Sequence, residues 1–281
     1  MREDAPGGAL EEPPGTTPPG RQDHRDRRPL RSSGSTEDPL VGQEVAGEEH
    51  DARLAGVRTA DWQLWDVQGV AEAIESYWAE SPAEKAHRDL LAALCTRYLP
   101  APDLDVLEVG CGTGRIYERL VPRLVANERY TGVDLSERML AIGRERFPRA
   151  RFLAGDGYGL EFADGAFDVS LAFEVVGHLP EIGPFLRELV RVARRTAIFT
   201  VWPAADEDGG VVESQEEILG ARFLHRQYSH DYLLGQIREH LPDAALDLEV
   251  GILGAGCRAY ALRRREGSPG LAFTRLFPVQ A

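Results

Sequence analysis

The sequence predicts an α/β protein, a mostly parallel sheet with helices on both faces and an antiparallel hairpin at its end. Three observations predict it. From Asp103 onward, apolar strand-like runs alternate with helical stretches, an order that calls for a parallel sheet. The first of those strands runs directly into a loop with glycine at alternate positions, Gly110, Gly112 and Gly114. Near the end, strand-like segments 245–253 and 256–263 are joined only by Gly254-Ala255, a link too short for anything but a hairpin.

The elements follow in order. Residues 1–57 hold no aromatic residue and seven of the 18 prolines. Such a segment cannot bury enough apolar surface to offset its ordering entropy, so a disordered tail is expected there. A single domain is expected over 58–265, opening with N-terminal helices over 58–100, and a C-terminal tail over 266–281. In 61–79, Trp62, Trp65, Val70, Ile74, Tyr77 and Trp78 recur at roughly helical spacing. Ser81-Pro82 has the form of an N-cap with proline at the first helical position. That helix is expected to run to about Leu99, where Pro100 and Pro102 end it. Strands are expected at 104–109, 129–133, 150–154, 167–173 and 196–202. Helices are expected at about 114–125, 136–146, 181–193 and 230–240. With the terminal hairpin this makes a seven-stranded sheet.

Composition excludes several classes of function. The net charge is -14 over 281 residues. A chain so acidic is not drawn to polyanions, and no nucleic-acid partner is expected. No apolar run approaches the length of a membrane span. Arg27-Arg28 is not followed by the apolar region of a secretory signal. Cys95, Cys111 and Cys257 are far apart and form neither a disulfide framework nor a metal-ligand pair, so no metal is expected and a reducing cytoplasm is. Nothing in the sequence speaks to oligomeric state.

The glycine loop lies between a strand and a helix, where bare backbone and a helix N-terminus can approach a ligand. Gly110 and Gly112 permit the tight turn and the contact, and Gly114 lets helix and strand pack. A dinucleotide loop would need glycine at 115, where the chain has arginine, and the GK[ST] ending of a phosphate loop is absent.

With its neighbours, this loop resembles the first motif of the class I S-adenosylmethionine-dependent methyltransferases: Glu108, then Gly110, Cys111, Gly112, Thr113 and Gly114. The other motifs follow in order. An acidic residue, Asp134, ends strand two in YTGVDLSERML. An aspartate, Asp156, follows strand three in RFLAGDGYGLEF. Strand four is FDVSLAFEVVGHL. The resemblance covers about 104–263 and is similar to the small-molecule, UbiE-like type. It implies a Rossmann-like, doubly wound fold with an N-terminal helical cap, and S-adenosylmethionine as cofactor. It implies that Asp134 holds the ribose diol, a natural bidentate partner for a carboxylate, and that Asp156 and the Gly157 amide hold the adenine. Glu108 would lie near the methionine ammonium, with backbone carbonyls near Gly110 and Phe173. Leu135 and Met139 flank the adenine or ribose, or are ordinary core. Asp134 could instead cap a helix, although Ser136 suits that better, and Asp156 could serve an Asp-Gly turn.

Methyl transfer needs alignment and exclusion of water. A hydroxyl acceptor also needs a base. His178, just past strand four, is the candidate base, against the plainer reading of a packing histidine. His225 and Tyr228 are candidates for the substrate side, in the loop before a helix capped by Ser229. Tyr77 and Trp78 are candidates on a helix that either closes over the site or packs on the sheet. The expected function is methyl transfer to a small molecule, a secondary metabolite, quinone-like ring or sugar, with oxygen ranked before nitrogen or carbon. The expected partner is the methyl acceptor. A non-catalytic binder of the cofactor and a nicotinamide oxidoreductase are the remaining readings.

Overall fold

A computed structural model describes residues 61–67, 69–205, 210–218 and 221–280. The tail expected over 1–57 lies outside the described residues. Two helices open the fold, α1 (Val70–Glu80) and α2 (Pro82–Cys95). The single helix expected over 61–79 is instead a 3-10 turn over Asp61–Asp66 followed by α1. Gly69, with φ 88, sits in the left-handed region at the break, a conformation that glycine adopts without steric cost. Ser81 caps α2 as expected, its hydroxyl accepting from the Glu84 amide at 3.3 Å, and Pro82 follows at the first turn.

The sheet then forms from β1 (Val106–Val109), β2 (Tyr130–Asp134), β3 (Arg151–Ala154), β4 (Phe167–Ala172) and β5 (Ala193–Val201), all parallel. Helices α3 (Tyr117–Leu120), α4 (Glu137–Arg146) and α5 (Ile182–Val192) connect them. The expected helix over 114–125 shrinks to α3. Pro122 lacks an amide hydrogen, and the residue before it, Val121, is extended at φ -98 and ψ 131. After β5 come β6 (Val211–Ile218), β7 (Ala221–Tyr228), α6 (His230–His240), β8 (Ala245–Ile252), β9 (Arg258–Arg264) and β10 (Gly270–Pro278). Strands β8 and β9 are the antiparallel hairpin, and β9 pairs antiparallel with β5.

The α/β class stands, and the order of strands is β10-β8-β9-β5-β4-β1-β2-β3. The sheet has eight strands rather than seven. Residues 266–281, expected as a tail, supply β10, which runs parallel to β8. A register shift between Phe273 and Arg275 breaks its alternation of inward and outward residues, so the segment does not read as a strand. A second departure is the separate antiparallel pair β6–β7, in a stretch expected as loop.

β1 is buried along its whole length, as a central parallel strand must be. Leu107 and Val109 face the cluster built on Phe185, Leu186 and Leu189 of α5, while Val106 faces that of Leu91 and Leu94 of α2. By the same alternation Glu108 points to the α2 side. A third cluster joins the cap to the body: Leu64, Val70, Ala71 and Ile74 pack on Met139 of α4 and Phe223 of β7. Among the described residues no helix is long and apolar enough to cross a membrane.

Strand β10 covers one side of β8, so removing residues 266–281 exposes that edge. We expect the truncated chain to melt several degrees lower and to self-associate, as read by thermal unfolding and light scattering.

Candidate functional site

The order of strands reverses at β1, which has β2 on one side and β4 on the other. Loops leaving the carboxyl ends of such a pair diverge and open a crevice. The glycine loop fills its floor. Gly110, Gly112 and Gly114 all have positive φ, 76, 50 and 78. A Cβ on Gly110 would lie 2.3 Å from Cγ2 of Val175, and one on Gly114 would lie 2.7 Å from Cζ of Phe152. These two glycines therefore let the loop pack on the β4 loop and on β3. At Gly112 a Cβ would meet only the ring of Trp78, 3.8 Å away. Gly112 is thus the point of the loop that faces the cap.

Asp134, at the end of β2, fixes the loop. Its Oδ2 accepts from the Gly112 amide at 2.7 Å and its Oδ1 from the Ser136 amide at 2.9 Å. Ser136, not Asp134, caps α4, its hydroxyl accepting from the Met139 amide at 3.1 Å. Burial raises the Asp134 carboxyl, and the bonds from Ser136 and Gly112 oppose that. Glu108 is more deeply placed, only 2% exposed, and its Oε2 has no hydrogen-bond partner. Burial first, then the charge of Asp134, pushes its carboxyl well above the usual range, against the pull of Arg88. A buried carboxylate oxygen without a donor costs free energy unless a ligand supplies one.

The remaining sequence candidates divide. Cys111 and Phe173 turn their side chains into the sheet core, and Met139 lies in the cap cluster. Leu135 is 37% exposed beside Asp134. Asp156 is exposed and makes the turn that its Asp-Gly sequence suggests, its Oδ1 accepting from the Tyr158 amide at 2.9 Å. A Cβ on Gly157 would lie 2.5 Å from Phe185, so this loop is pressed against α5. Tyr77 is half-buried on α1. Trp78, next to it, lies between Gly112 and the Arg88 guanidinium, which stands 4.9 Å from the ring centre.

His178 and His225 come together, ring centres 5.5 Å apart, and Trp65 meets His178 edge-on at 5.3 Å. His225 is on β7 rather than in a loop. The Nδ1 of His178 lies 3.0 Å from the Leu224 carbonyl oxygen. A carbonyl only accepts, so Nδ1 carries the proton and Nε2 keeps a lone pair. Burial lowers the His178 pKa below the usual 6.5, opposed by the bond to Leu224 and aided by His225. Tyr228 does not join them. It is buried on β7, and its hydroxyl donates to the Val176 carbonyl at 3.1 Å.

Sequence reasoning missed two groups. The first is Glu75 of α1. It accepts from the Thr113 hydroxyl at 2.5 Å, pairs with Arg115, and lies 3.1 Å from Arg146. One carboxylate thereby ties the cap to the glycine loop and to α4. The second is Glu174, immediately after Phe173. Its φ is 59, in the left-handed region, at a cost on the order of 1 kcal/mol. Its Oε2 accepts from Trp202 Nε1 at 2.8 Å, and its Oε1 from the Thr200 hydroxyl at 3.0 Å. His87 Nε2 lies 3.2 Å and Cys257 Sγ 3.8 Å from the same Oε1. Burial would raise this carboxyl, but the bonds and charge of His87, with Trp202 and Thr200, hold it at about 2. The position of Glu174 at the end of strand four was the available signal. Its partners come from distant segments and left none.

Comparison with known proteins agrees with this arrangement. A family profile described as "Methyltransferase domain" matches residues 107–201. A probable S-adenosylmethionine-dependent methyltransferase of Mycolicibacterium smegmatis is 32% identical over 150 residues, 53% of this chain and 50% of that protein. The 2-methyl-6-phytyl-1,4-hydroquinone methyltransferase of Synechocystis is 33% identical over 111 residues, 38% of this chain and 34% of that one. The chain thus spans half or less of the length of these relatives. In fold it is similar to the 1,6-didemethyltoxoflavin-N1-methyltransferase of Burkholderia thailandensis, with a TM-score of 0.52 at 19% identity, covering 81% of this chain and 94% of the other. The ordered motifs, the sheet and the family match agree: residues 107–201 carry a methyltransferase domain, similar to that of S-adenosylmethionine-dependent relatives.

Proposed function

We propose that the protein transfers a methyl group from S-adenosylmethionine to a small-molecule acceptor, and that the acceptor atom is a hydroxyl oxygen. The observation that carries the reading is the glycine loop bracketed by two buried carboxylates. Asp134 is held by two amides with lone pairs left for a diol, and Glu108 has an oxygen that lacks a donor. These are the groups that the ribose and the ammonium of the cofactor would satisfy. When bound, that cofactor supplies an activated methyl group on a sulfonium. The chain's own part is to bind, align and exclude water. Gly112 faces the ring of Trp78 across the gap a Cβ would fill, and Glu75 holds the cap in place above the loop. Asp156 and Gly157 are assigned to the adenine end.

His178 is assigned the proton. Its Nδ1–H is fixed on Leu224, so Nε2 is the atom that takes the hydroxyl proton as the oxygen attacks. His225 and Tyr77 are assigned to the acceptor side, and Tyr228 is withdrawn from it. A phenolic or hydroquinone acceptor suits the aromatic surroundings of Trp65 and His225. The hydroquinone relative supports the same class. A ring carbon is the second reading there, and the mass and NMR of the product separate the two. Arg115 is engaged with Glu75 where a nicotinamide loop would need glycine, which disfavours the oxidoreductase reading.

Calorimetric titration of S-adenosylhomocysteine is the first test. Micromolar binding is expected, weakened about 30- to 100-fold in Asp134→Ala, with NADH not bound. NADH binding without S-adenosylhomocysteine binding would sink the reading. Glu108→Gln should act in opposite directions on stability and affinity. The raised pKa of Glu108 means its contribution is favourable below about 4.5 and is lost as pH rises through the folded value. The ligand-free variant should therefore melt ~2–4 °C higher at neutral pH while binding the cofactor more weakly. In a working assay, activity should fall on acidification with a midpoint below 6.5. His178→Ala should lose that limb and about 10²–10⁴ in kcat, with S-adenosylhomocysteine affinity unchanged.

A further inference from the structure

The cluster around Glu174 has no part in the function proposed above, yet several distant segments converge to build it. Among the described residues, His87, Glu174 and Cys257 are a set whose ligating atoms all lie within 4.8 Å of one another. They come from α2, the end of β4 and the start of β9, so three separate segments converge on one point. We propose that His87 Nε2, Glu174 Oε1 and Cys257 Sγ form a zinc site.

The spacing argues for it. His87 Nε2 to Glu174 Oε1 is 3.2 Å, and Cys257 Sγ to the same oxygen is 3.8 Å. A charge-assisted hydrogen bond between imidazole and carboxylate is shorter, about 2.7–2.9 Å. Zinc bonds of about 2.0–2.3 Å arranged tetrahedrally put neighbouring ligand atoms about 3.3–3.6 Å apart. The two separations bracket those edges. Thiolate, imidazole and carboxylate together select zinc over magnesium or calcium, which prefer oxygen throughout.

The surroundings orient the ligands as metal sites require. Trp202 Nε1 holds Oε2 of Glu174 at 2.8 Å, leaving Oε1 directed at the other two ligands, with the Thr200 hydroxyl beside it at 3.0 Å. The His87 ring lies against Trp202, centres 5.8 Å apart and planes 29° apart. Glu174 keeps a left-handed backbone to present its carboxylate here. Three ligands leave a fourth position, the mark of a zinc that takes water or a substrate oxygen. Binding displaces the Cys257 thiol proton to solvent, so affinity rises with pH and falls on acidification. A part for the metal in activating an acceptor hydroxyl would rest on the methyltransferase reading, but zinc binding does not.

The test needs no substrate and no cofactor. The full chain is stripped with a chelator and titrated with Zn²⁺ and with Co²⁺. About one zinc per chain is expected, and the cobalt form should show the near-ultraviolet charge-transfer band of a thiolate ligand with the visible bands of a four-coordinate ion. Cys257→Ser should lose the charge-transfer band, His87→Ala should weaken zinc binding at least ~100-fold, and Trp202→Phe ~10–100-fold. Circular dichroism and thermal melting identify a variant that has failed to fold. The cobalt spectrum of the wild type needs no variant at all. Absence of the thiolate band at stoichiometric cobalt, or zinc affinity equal in wild type and His87→Ala, would overturn the site. S-adenosylhomocysteine binding, measured separately on the stripped protein, keeps this result distinct from that of the cofactor reading.

Discussion

β1 has parallel neighbours on both sides, and the chain leaves β1 and β4 toward opposite faces of the sheet. That divergence is the constraint on which the rest of the carboxyl edge depends. It places Glu108, Asp134, Glu174 and His178 at one rim although they are scattered along the sequence. At their base the loops after β1 and β4 still touch, at Gly110 and Val175, which is why Gly110 must be glycine. Its missing Cβ is the space that Val175 fills, at a positive φ that other residues enter only with strain.

Four carboxyl groups crowd the rim, and each is handled differently. Asp134 is tied down by two amides. Glu75 is neutralised by two arginines and a hydroxyl. Glu174 is surrounded by Trp202, Thr200, His87 and Cys257. Glu108 alone keeps an oxygen with no partner. Burial of an unsatisfied carboxylate is costly in the free protein and favourable once a cation arrives, so stability is given up at the place where binding needs it.

What the sequence disclosed follows from what is local. β1 to β5, the glycine loop and the acidic ends of β1 and β2 were legible because strand alternation, turn chemistry and motif order are written in neighbouring residues. Ser81 and Ser136 were legible as caps for the same reason. The edge strand β10 was not, because a bulge interrupts its alternation and one face of an edge needs no apolar residues. β6, rich in glutamate and largely outside the apolar clusters, carried no burial signal either. His87 and Cys257 illustrate the larger limit. Each reads as an ordinary residue in its own segment, and only the closing of the sheet sets them beside Glu174. Tyr228 shows the converse, since it read as a loop residue on the substrate side, while the β6–β7 pair carries it into the core.

The attachment of the cap has a consequence for how the molecule responds to salt. Arg138–Glu72 is an exposed pair, with side chains 36% and 51% accessible, whereas Arg115 and Glu75 are 14% and 15% accessible. Screening acts strongly on the first and little on the second. Raising ionic strength therefore weakens the Arg138 tie at the beginning of α1, while the Glu75 tie in its middle and the apolar cluster of Leu64, Val70, Ala71 and Ile74 keep the cap seated. Salt in this sense loosens one outer tether of the cap and leaves the glycine loop and its carboxylates undisturbed.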